Sequence, residues 1–453
     1  MEPIVILGAG LAGLSVSYHF GHENCVLLEA REGAFGHIRS TMRNEFTWDE
    51  GPHVSFTKHA YVRDLFAESV DGEFEEFEAR IGNYYHGAWV EHPAQVHLHE
   101  IPEPLRQRCL ESFLQNRSAT YDLPPANYQD WIDRAFGPLF AHTFSVPYTR
   151  KYWTREPKDL TTEWLGDRIL FPAIADVIAG AKGPLEKKMN YITRVRYPKR
   201  GGYQAFARKL HAGARIQFGS DIARIDLAAR RLTLSDGSAV GYRQLVSTIP
   251  LPEFVRRCEN VPADVAEAAQ VLSCSELLLV NIPVSQPATR PETWFYVYDE
   301  DKLATRVNFT EHLSPANAPA NWSGIQVETY SSKHRPCGQS EAEIVARVRT
   351  ELEDMQLLDA NSIGALRPHT ISVPWANVIF DHDTSPALDV IWRWLERFGL
   401  EREEDDRHPL TSWNDKRSAT RLGLLGFAGR YGQWKYFWTD DCVLRGQALA
   451  ARQ

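Results

Sequence analysis

The chain has 453 residues, 43% of them hydrophobic and 24% charged, the make-up of an ordinary globular enzyme of two or three domains. Fifty basic against 59 acidic residues leave a net charge of −9 with no basic block, which argues against nucleic acid and anionic membranes as main partners. The six cysteines (Cys25, Cys109, Cys258, Cys274, Cys337, Cys442) form no CxxC pair and have no histidines at zinc spacing, so a reducing compartment and no metal are expected. Met1-Glu2-Pro3 opens directly into a strand with no basic region or cleavage site, and no apolar run approaches ~20 residues. A cytoplasmic protein without signal peptide or membrane span is the expectation.

In chain order, Ile4–Leu7 is a short apolar run that reads as a buried parallel strand. A glycine cluster comes next, then a helix over Leu14–Phe20 and a second buried strand, Cys25–Leu28, ending at Glu29. Val62–Glu186 reads as mostly helical. Arg194–Gly202 is a basic turn leading into a helix, Tyr203–His211. Arg215–Asp226 and Arg231–Leu234 read as a hairpin pair bounded by the Ser235-Asp236-Gly237 turn. Leu245–Ile249 is another buried strand. Ser275–Ser332 alternates strand-like segments such as Leu277–Ile282 and Ile325–Tyr330. Helices are expected over Glu341–Met355 and Leu388–Phe398, a solvated loop over Glu401–Asp406, and strand, glycine turn and helix over Leu422–Ala451.

Gly8, Gly10 and Gly13 make GxGxxG between a strand and a helix. Gly8 permits the tight turn, Gly10 the close approach of a pyrophosphate, and Gly13 the packing of helix on sheet. The phosphates sit on the helix N-terminus. Glu29, 21 residues after Gly8, is placed for a ribose 2′-OH. A dinucleotide without a 2′-phosphate fits, and NADP does not.

The residues just after Glu29 suggest FAD. Gly33-Ala34-Phe35-Gly36-His37-Ile38-Arg39-Ser40 resembles the second glycine turn of the flavoprotein superfamily that contains amine oxidases, protoporphyrinogen oxidases and UDP-galactopyranose mutase, and Leu245–Pro250 is similar to its strand behind the flavin. Five further segments resemble the mutase and its relatives in surface-polysaccharide gene clusters, often described as protoporphyrinogen-oxidase-like. Gly51-Pro52-His53 is similar to the turn whose His lies against the flavin near N5. Mutases continue it with Phe-His-Thr, where this chain has Ser55-Phe56-Thr57. Tyr148-Thr149-Arg150-Lys151-Tyr152-Trp153 resembles the segment that holds the uridine and sugar, and Arg155, Pro157, Leu160 and Arg168 continue the likeness. Tyr197–Tyr203, with Gly201 and Gly202, resembles the Pro-x-Gly-Gly-Tyr turn beneath the flavin. Ala304–Val307 and Val327–Ser331 look like the strands whose Arg and Tyr meet the diphosphate. Gly429–Tyr436 is similar to Gly-Arg-Leu-Gly-Thr-Tyr-Arg-Tyr, and two residues on mutases have Asp where this chain has Trp438.

The resemblance implies an α/β fold: a discontinuous FAD-binding Rossmann-like domain (1–70, 190–255 and 405–453) with a helical insertion (71–189) and a sheet-containing substrate domain (256–404). It implies His53, Arg306, Arg430 and Tyr436 as catalytic residues. Tyr148, Trp153, Arg168, Arg306, Tyr330, Arg430 and Tyr436 would bind substrate. FAD would be held by Gly8, Gly10, Leu11, Ala12 and Gly13; by Glu29, Ala30, Arg31, Gly36, His37 and Arg39; by His53 and Ile222; and by Gly429, Arg430, Asp440, Asp441 and Cys442. The N–H groups of the last helix would face the flavin pyrimidine, although Asp440 reads equally well as a plain N-cap.

Arginine forks and tyrosine hydroxyls suit a diphosphate, whose charge is costly to bury unpaired. In the mutases the reduced flavin N5 attacks the anomeric carbon as the nucleotide diphosphate leaves, and the sugar ring opens and recloses. The expectation is therefore mutase-like chemistry on a nucleotide-diphosphate sugar in surface-glycan metabolism, with an external reductant and a homodimer implied at family level. The alternative is an oxidoreductase of the amine oxidase or protoporphyrinogen oxidase kind, and the missing second His and Trp438 lean that way. A flavin held only structurally would leave His53 and the arginines without purpose. GxSxG, HExxH and P-loop motifs are absent from the sequence.

Overall fold

The computed structural model describes residues 2–451 apart from 120, 122, 167, 190, 191, 193, 360–365 and 403–422. All four side chains of the Ile4–Leu7 strand are buried, which suits a strand covered on both faces. Gln244–Ser247 and Cys25–Leu28 flank it in parallel, with Ile4 opposite both Gln244 and Cys25. Leu425–Phe427 and Ile216–Gln217 complete a five-stranded parallel sheet. The expected discontinuous Rossmann-like unit thus draws its five strands from the beginning, the middle and the end of the chain.

The first helix runs Leu11–Phe20, three residues longer at its start than expected. It packs against the last helix, Thr439–Ala450, where a Cβ on Gly446 would lie 2.5 Å from the Ser15 carbonyl carbon. Ser15 Oγ donates to the Val443 carbonyl at 2.7 Å across this contact.

A seven-stranded sheet forms the second layer, in the order His369–Val373, Glu276–Val284, Ser323–Ser331, Arg306–Phe309, Trp294–Val297, Ile81–Tyr85, Ala88–Glu91. Its pairs are antiparallel except Trp294–Val297 with Ile81–Tyr85. Val280, Ile282, Phe295, Val307 and Phe309 form its core under Ile344, Val348 and Leu352 of the Glu341–Asp354 helix. That helix starts with a Ser340–Glu343 capping box.

Several expectations need correcting. The stretch 62–186 begins within a helix, Ala60–Ser69, but three strands follow before the next helices. Phe74–Glu78 pairs with Arg194–Pro198, where Glu76 meets Arg194 and Arg196, and Ile81–Tyr85 and Ala88–Glu91 join the large sheet. Helices then cover Leu105–Arg117, Tyr128–Phe136, Val146–Tyr152 and Ile174–Lys182. The Arg194–Gly202 segment is therefore half strand, and the helix after it is a 3-10 turn, Tyr203–Ala207, followed by Arg208–His211. Arg215–Asp226 is broken at Gly219 (φ 67°) into an edge strand of the parallel sheet and Ile222–Asp226, which pairs with Arg231–Leu234. The Ser235–Gly237 turn leads on to a third strand, Ala239–Gly241.

The second late helix runs Thr384–Glu396. Leu422 and residues 403–406 of the Glu401–Asp406 run lie outside the described residues. Among the described residues no helix is long and apolar enough to cross a membrane, and no three His, Cys, Asp or Glu side chains form a metal cluster. None of the six cysteines is in a disulfide.

Candidate active site

A cavity of about 630 Å³ runs between the two layers. One end is walled by Gly8, Gly10, Leu11, Ala12, Glu29 and Arg31, with Gly36, His37, His53, Gly429, Arg430, Asp440 and Cys442 further along. Tyr148, Trp153, Arg168, Arg306, Tyr330 and Tyr436 line the other side. The sequence-predicted residues Gly13, Ala30, Arg39, Ile222 and Asp441 are not on this wall. Gly13 serves packing, since a Cβ there would lie 2.0 Å from the Gly8 carbonyl oxygen. Ala30 is exposed, the Arg39 guanidinium lies beside Gly33, and Ile222 is core. Asp441 caps the last helix, accepting the Trp438 N–H at 2.8 Å. Asp440 faces the cavity, and its Oδ1 accepts the Asp441 N–H at 3.1 Å.

The narrow end fits a dinucleotide. Gly8 has φ 95°, and a Cβ there would lie 2.6 Å from Thr248 Oγ1; a Cβ on Gly36 would lie 2.9 Å from the Gly10 Cα. Only glycine leaves this channel open. Gly10 caps the first helix with no side-chain bond, so the first-turn N–H groups are left for an anion. Glu29 accepts the Ala9 N–H at 2.7 Å and the Arg31 N–H at 3.0 Å, which fixes its carboxylate at the wall. Glu50, which the sequence reading passed over, bridges Arg31 and His37 at 3.2 Å each. Burial opposes its charge, but the His37 bond together with the charges of His37, Arg31 and His53 outweighs it, and its carboxyl titrates below the usual range.

The middle is shaped by the Gly201–Gly202 turn. Gly202 (φ 67°) has no room for a Cβ against Ser40 and Asp49. Buried Asp49 accepts from Ser40 Oγ, Tyr197 OH and the Tyr203 N–H at 2.5, 2.7 and 3.2 Å, tying the turn down. Its pKa is pushed up to about 6 by burial, against these bonds. Tyr203 OH bonds Thr439 Oγ1 at 2.8 Å, and its ring lies 5.4 Å from that of His53. His53 Nδ1 donates to the Gly51 carbonyl at 3.0 Å. Burial, then Arg306 and Arg430, lower its pKa to about 4, so the imidazole is neutral and Nε2 is an acceptor.

The wide end is a cage of aromatic side chains. Tyr148 stacks on Tyr152 at 5.6 Å, Tyr152 meets Tyr330 at 5.1 Å, and Trp153 meets Tyr436 at 5.5 Å. Lys151, on the same helix, is buried and donates to the carbonyls of Val297, Asp299 and Ala304, which anchors the helix to the large sheet. Arg306 does not face the cavity alone. It forms a two-point pair with Glu328 (2.8 and 2.5 Å), directly opposite on the neighbouring strand, and Tyr330 OH donates to the same carboxylate at 2.8 Å. Glu328 was missed as a site residue. Its signal was the period-two spacing that sets Glu328 and Tyr330 on one face of a strand.

Arg430 donates Nε to the Phe437 carbonyl at 2.8 Å, stacks 5.0 Å from the Tyr436 ring, and has no carboxylate within ion-pairing distance among the described residues. Arg168 donates to the Tyr436 carbonyl at 2.5 Å and stacks on Trp438 at 4.2 Å. Burial pushes the phenols of Tyr148, Tyr152 and Tyr330 well up, so they are neutral donors.

A model of the family described as flavin containing amine oxidoreductase matches residues 11–452. A 69-residue stretch is 42% identical to 15-cis-phytoene desaturase, chloroplastic/chromoplastic, of Glycine max, and covers 14% of this chain and only 12% of the desaturase. The crystal structure of reduced UDP-galactopyranose mutase superposes with a TM-score of 0.86 at 22% identity, over 99% of this chain and 95% of the mutase. A candidate protoporphyrinogen oxidase from Exiguobacterium sp. 255-15 superposes with 0.70 at 14% identity, over 99% and 98%. At these identities the structural likeness is one of fold.

Proposed function

We propose, for a chain that belongs to the flavin-containing amine oxidoreductase family and is an FAD-dependent enzyme, a mutase-like rearrangement of a nucleotide-diphosphate sugar. The observation that carries this reading is the charge at the wide end. Arg306 is offset by Glu328, whereas Arg430 brings a half-buried guanidinium with no ion-pairing carboxylate among the described residues. Such a charge calls for an anionic ligand, and the surrounding tyrosine hydroxyls are donors to one.

FAD supplies a nucleophilic ring nitrogen when reduced and a hydride acceptor when oxidised. The residues around it have separable tasks. Arg430 and Arg306, with Tyr330 and Tyr436, hold the diphosphate and take up its charge as the bond to the anomeric carbon lengthens. His53 Nε2 accepts a hydroxyl hydrogen at the reacting end without itself becoming charged. Trp153 and the stacked Tyr148–Tyr152 pair hold the nucleoside and keep water out. An external reductant is part of this reading.

The second reading, net oxidation of a small molecule, is favoured by the aromatic pair Phe56–Trp438, which lines the same cavity as His53 and suits an apolar hydride donor. Turnover separates the two. A mutase works only with pre-reduced flavin and consumes no reductant. An oxidase bleaches its flavin on adding substrate and makes peroxide in air, and that result with no isomerisation overturns the mutase reading.

A further inference from the structure

Of the ten large apolar side chains that stand exposed on the described part of the molecule, five lie between residues 114 and 174: Leu114, Tyr121, Leu123, Phe171 and Ile174. They are neighbours in the fold. The Arg117 guanidinium lies 4.4 Å from the Phe171 ring and 5.5 Å from that of Phe113, and Leu114 comes three residues before it on the same helix. Phe171 also meets Trp131 at 5.8 Å. Arg134 shares a face of the Tyr128–Phe136 helix with Trp131. It lies over Tyr121 at 4.3 Å and donates to the Leu123 carbonyl at 2.7 Å. Ile174, Ile178 and Lys182, four apart along the Ile174–Lys182 helix, extend this face and end it on an exposed cation.

Single apolar side chains on a surface are ordinary, but a continuous patch marks a docking face. Two features identify what docks. Arg134 is paired with Asp130, whereas Arg117, half-buried between its two rings, has no ion pair among the described residues, and its Nη1 is buried without a hydrogen-bond partner. A partner that is anionic at this cation and apolar around it has the make-up of a lipid headgroup layer. The second feature is position. Tyr128 and Phe136 of the same helix line the cavity, as do Ile169 and Leu170 next to Phe171, and the Tyr128 and Trp131 rings stack at 6.2 Å. Patch and cavity wall are thus two faces of the same elements. The net charge of −9 opposes adsorption by charge alone. Here the apolar area supplies the affinity, and Arg117 and Lys182 add to it at an anionic surface. We propose that this face seats the enzyme on an anionic lipid bilayer, with Leu123, Phe171 and Ile174 in the headgroup layer and the Ile169–Leu170 wall of the cavity held beside it.

The test is sedimentation of the full chain, with FAD bound, on vesicles of phosphatidylcholine containing phosphatidylglycerol and on vesicles of phosphatidylcholine alone. Binding to the mixed vesicles is expected, with partial release by salt, and weaker binding to the neutral ones. Leu123→Ser/Phe171→Ser is expected to weaken binding to the mixed vesicles by about tenfold or more. Arg117→Gln is expected to weaken it by about fivefold on the mixed vesicles and to leave the neutral ones unaffected. Circular dichroism and the flavin spectrum check the fold of each variant, and Ile174→Ser takes the place of the Phe171 change if that one unfolds. Failure to bind the mixed vesicles overturns the proposal, as does binding that the apolar double variant leaves unchanged. A chain that is dimeric by light scattering, becomes monomeric in the double variant and ignores vesicles has a second copy on this face, and that result also overturns it.

Discussion

The two ends of the cavity are built on different plans. The end at Gly8, Gly10 and Glu29 is made of backbone, glycine clearances and one carboxylate, most of it within the first forty residues, with Thr248 closing on Gly8. The end at Arg306, Glu328, Arg430 and Tyr148 is made of side chains from a helix, two strands and a late loop, joined by a half-buried ion pair and ring stacking. The first kind of site tolerates almost no change in shape and tells little about what reacts. The second kind tolerates exchange of side chains, and that is where a common fold acquires its particular chemistry.

The largest expected effect tests whether the first end is rigid in this sense. Gly13→Val drives a side chain into the Gly8 carbonyl, and the purified protein is expected to be colourless and unfolded by circular dichroism. A yellow, folded Gly13→Val protein breaks the contrast. At the second end, Arg430→Ala is expected to keep the flavin spectrum while weakening nucleoside diphosphate binding by about a hundredfold. If Arg306→Ala and Arg430→Ala both leave that affinity unchanged, the diphosphate clamp is wrong.

Glu328→Gln leaves the half-buried Arg306 without its counter-charge and should cost about 2 kcal/mol of stability in denaturant titration. A neutral result shows that the pair contributes nothing to holding the cage.

The smallest effect is on pH dependence. His53 titrates near 4 in the folded chain against 6.5 for the free side chain. The unfolded chain therefore takes up the proton first, so stability is present above 6.5 and falls as the pH drops from 6.5 towards 4. His53→Gln should flatten that part of the pH–stability curve, and an unchanged slope shows that His53 titrates normally.

The same division explains what was legible in the sequence. Ile4–Leu7, the glycines and Glu29 are contiguous and obey a spacing that one cofactor demands, so the parallel sheet and the cofactor end could be read directly. Residues 74–91 could not, because strands such as Phe74–Glu78 owe their state to a partner strand more than a hundred residues away. Tyr148 and Arg430 were found only through resemblance, since nothing local distinguishes a cavity tyrosine from a core one. Glu328 was overlooked because its meaning lies in its register with Arg306, and register is a property of the sheet. The pairing of Phe56 with Trp438 was hidden for the same reason, although each departure was visible alone.

The outer strand Leu425–Phe427 and the helix Thr439–Ala450 close the sheet and the cavity against Ile4–Leu7 and Leu11–Phe20. Along the chain, the dinucleotide turn at Gly8 precedes Gly429 and Arg430, on the far wall of the same cavity, by more than four hundred residues. The cavity is whole only when both regions are folded together, so a truncation that removes the Thr439–Ala450 helix is expected to cost the colour of the protein as surely as a change in its first glycine.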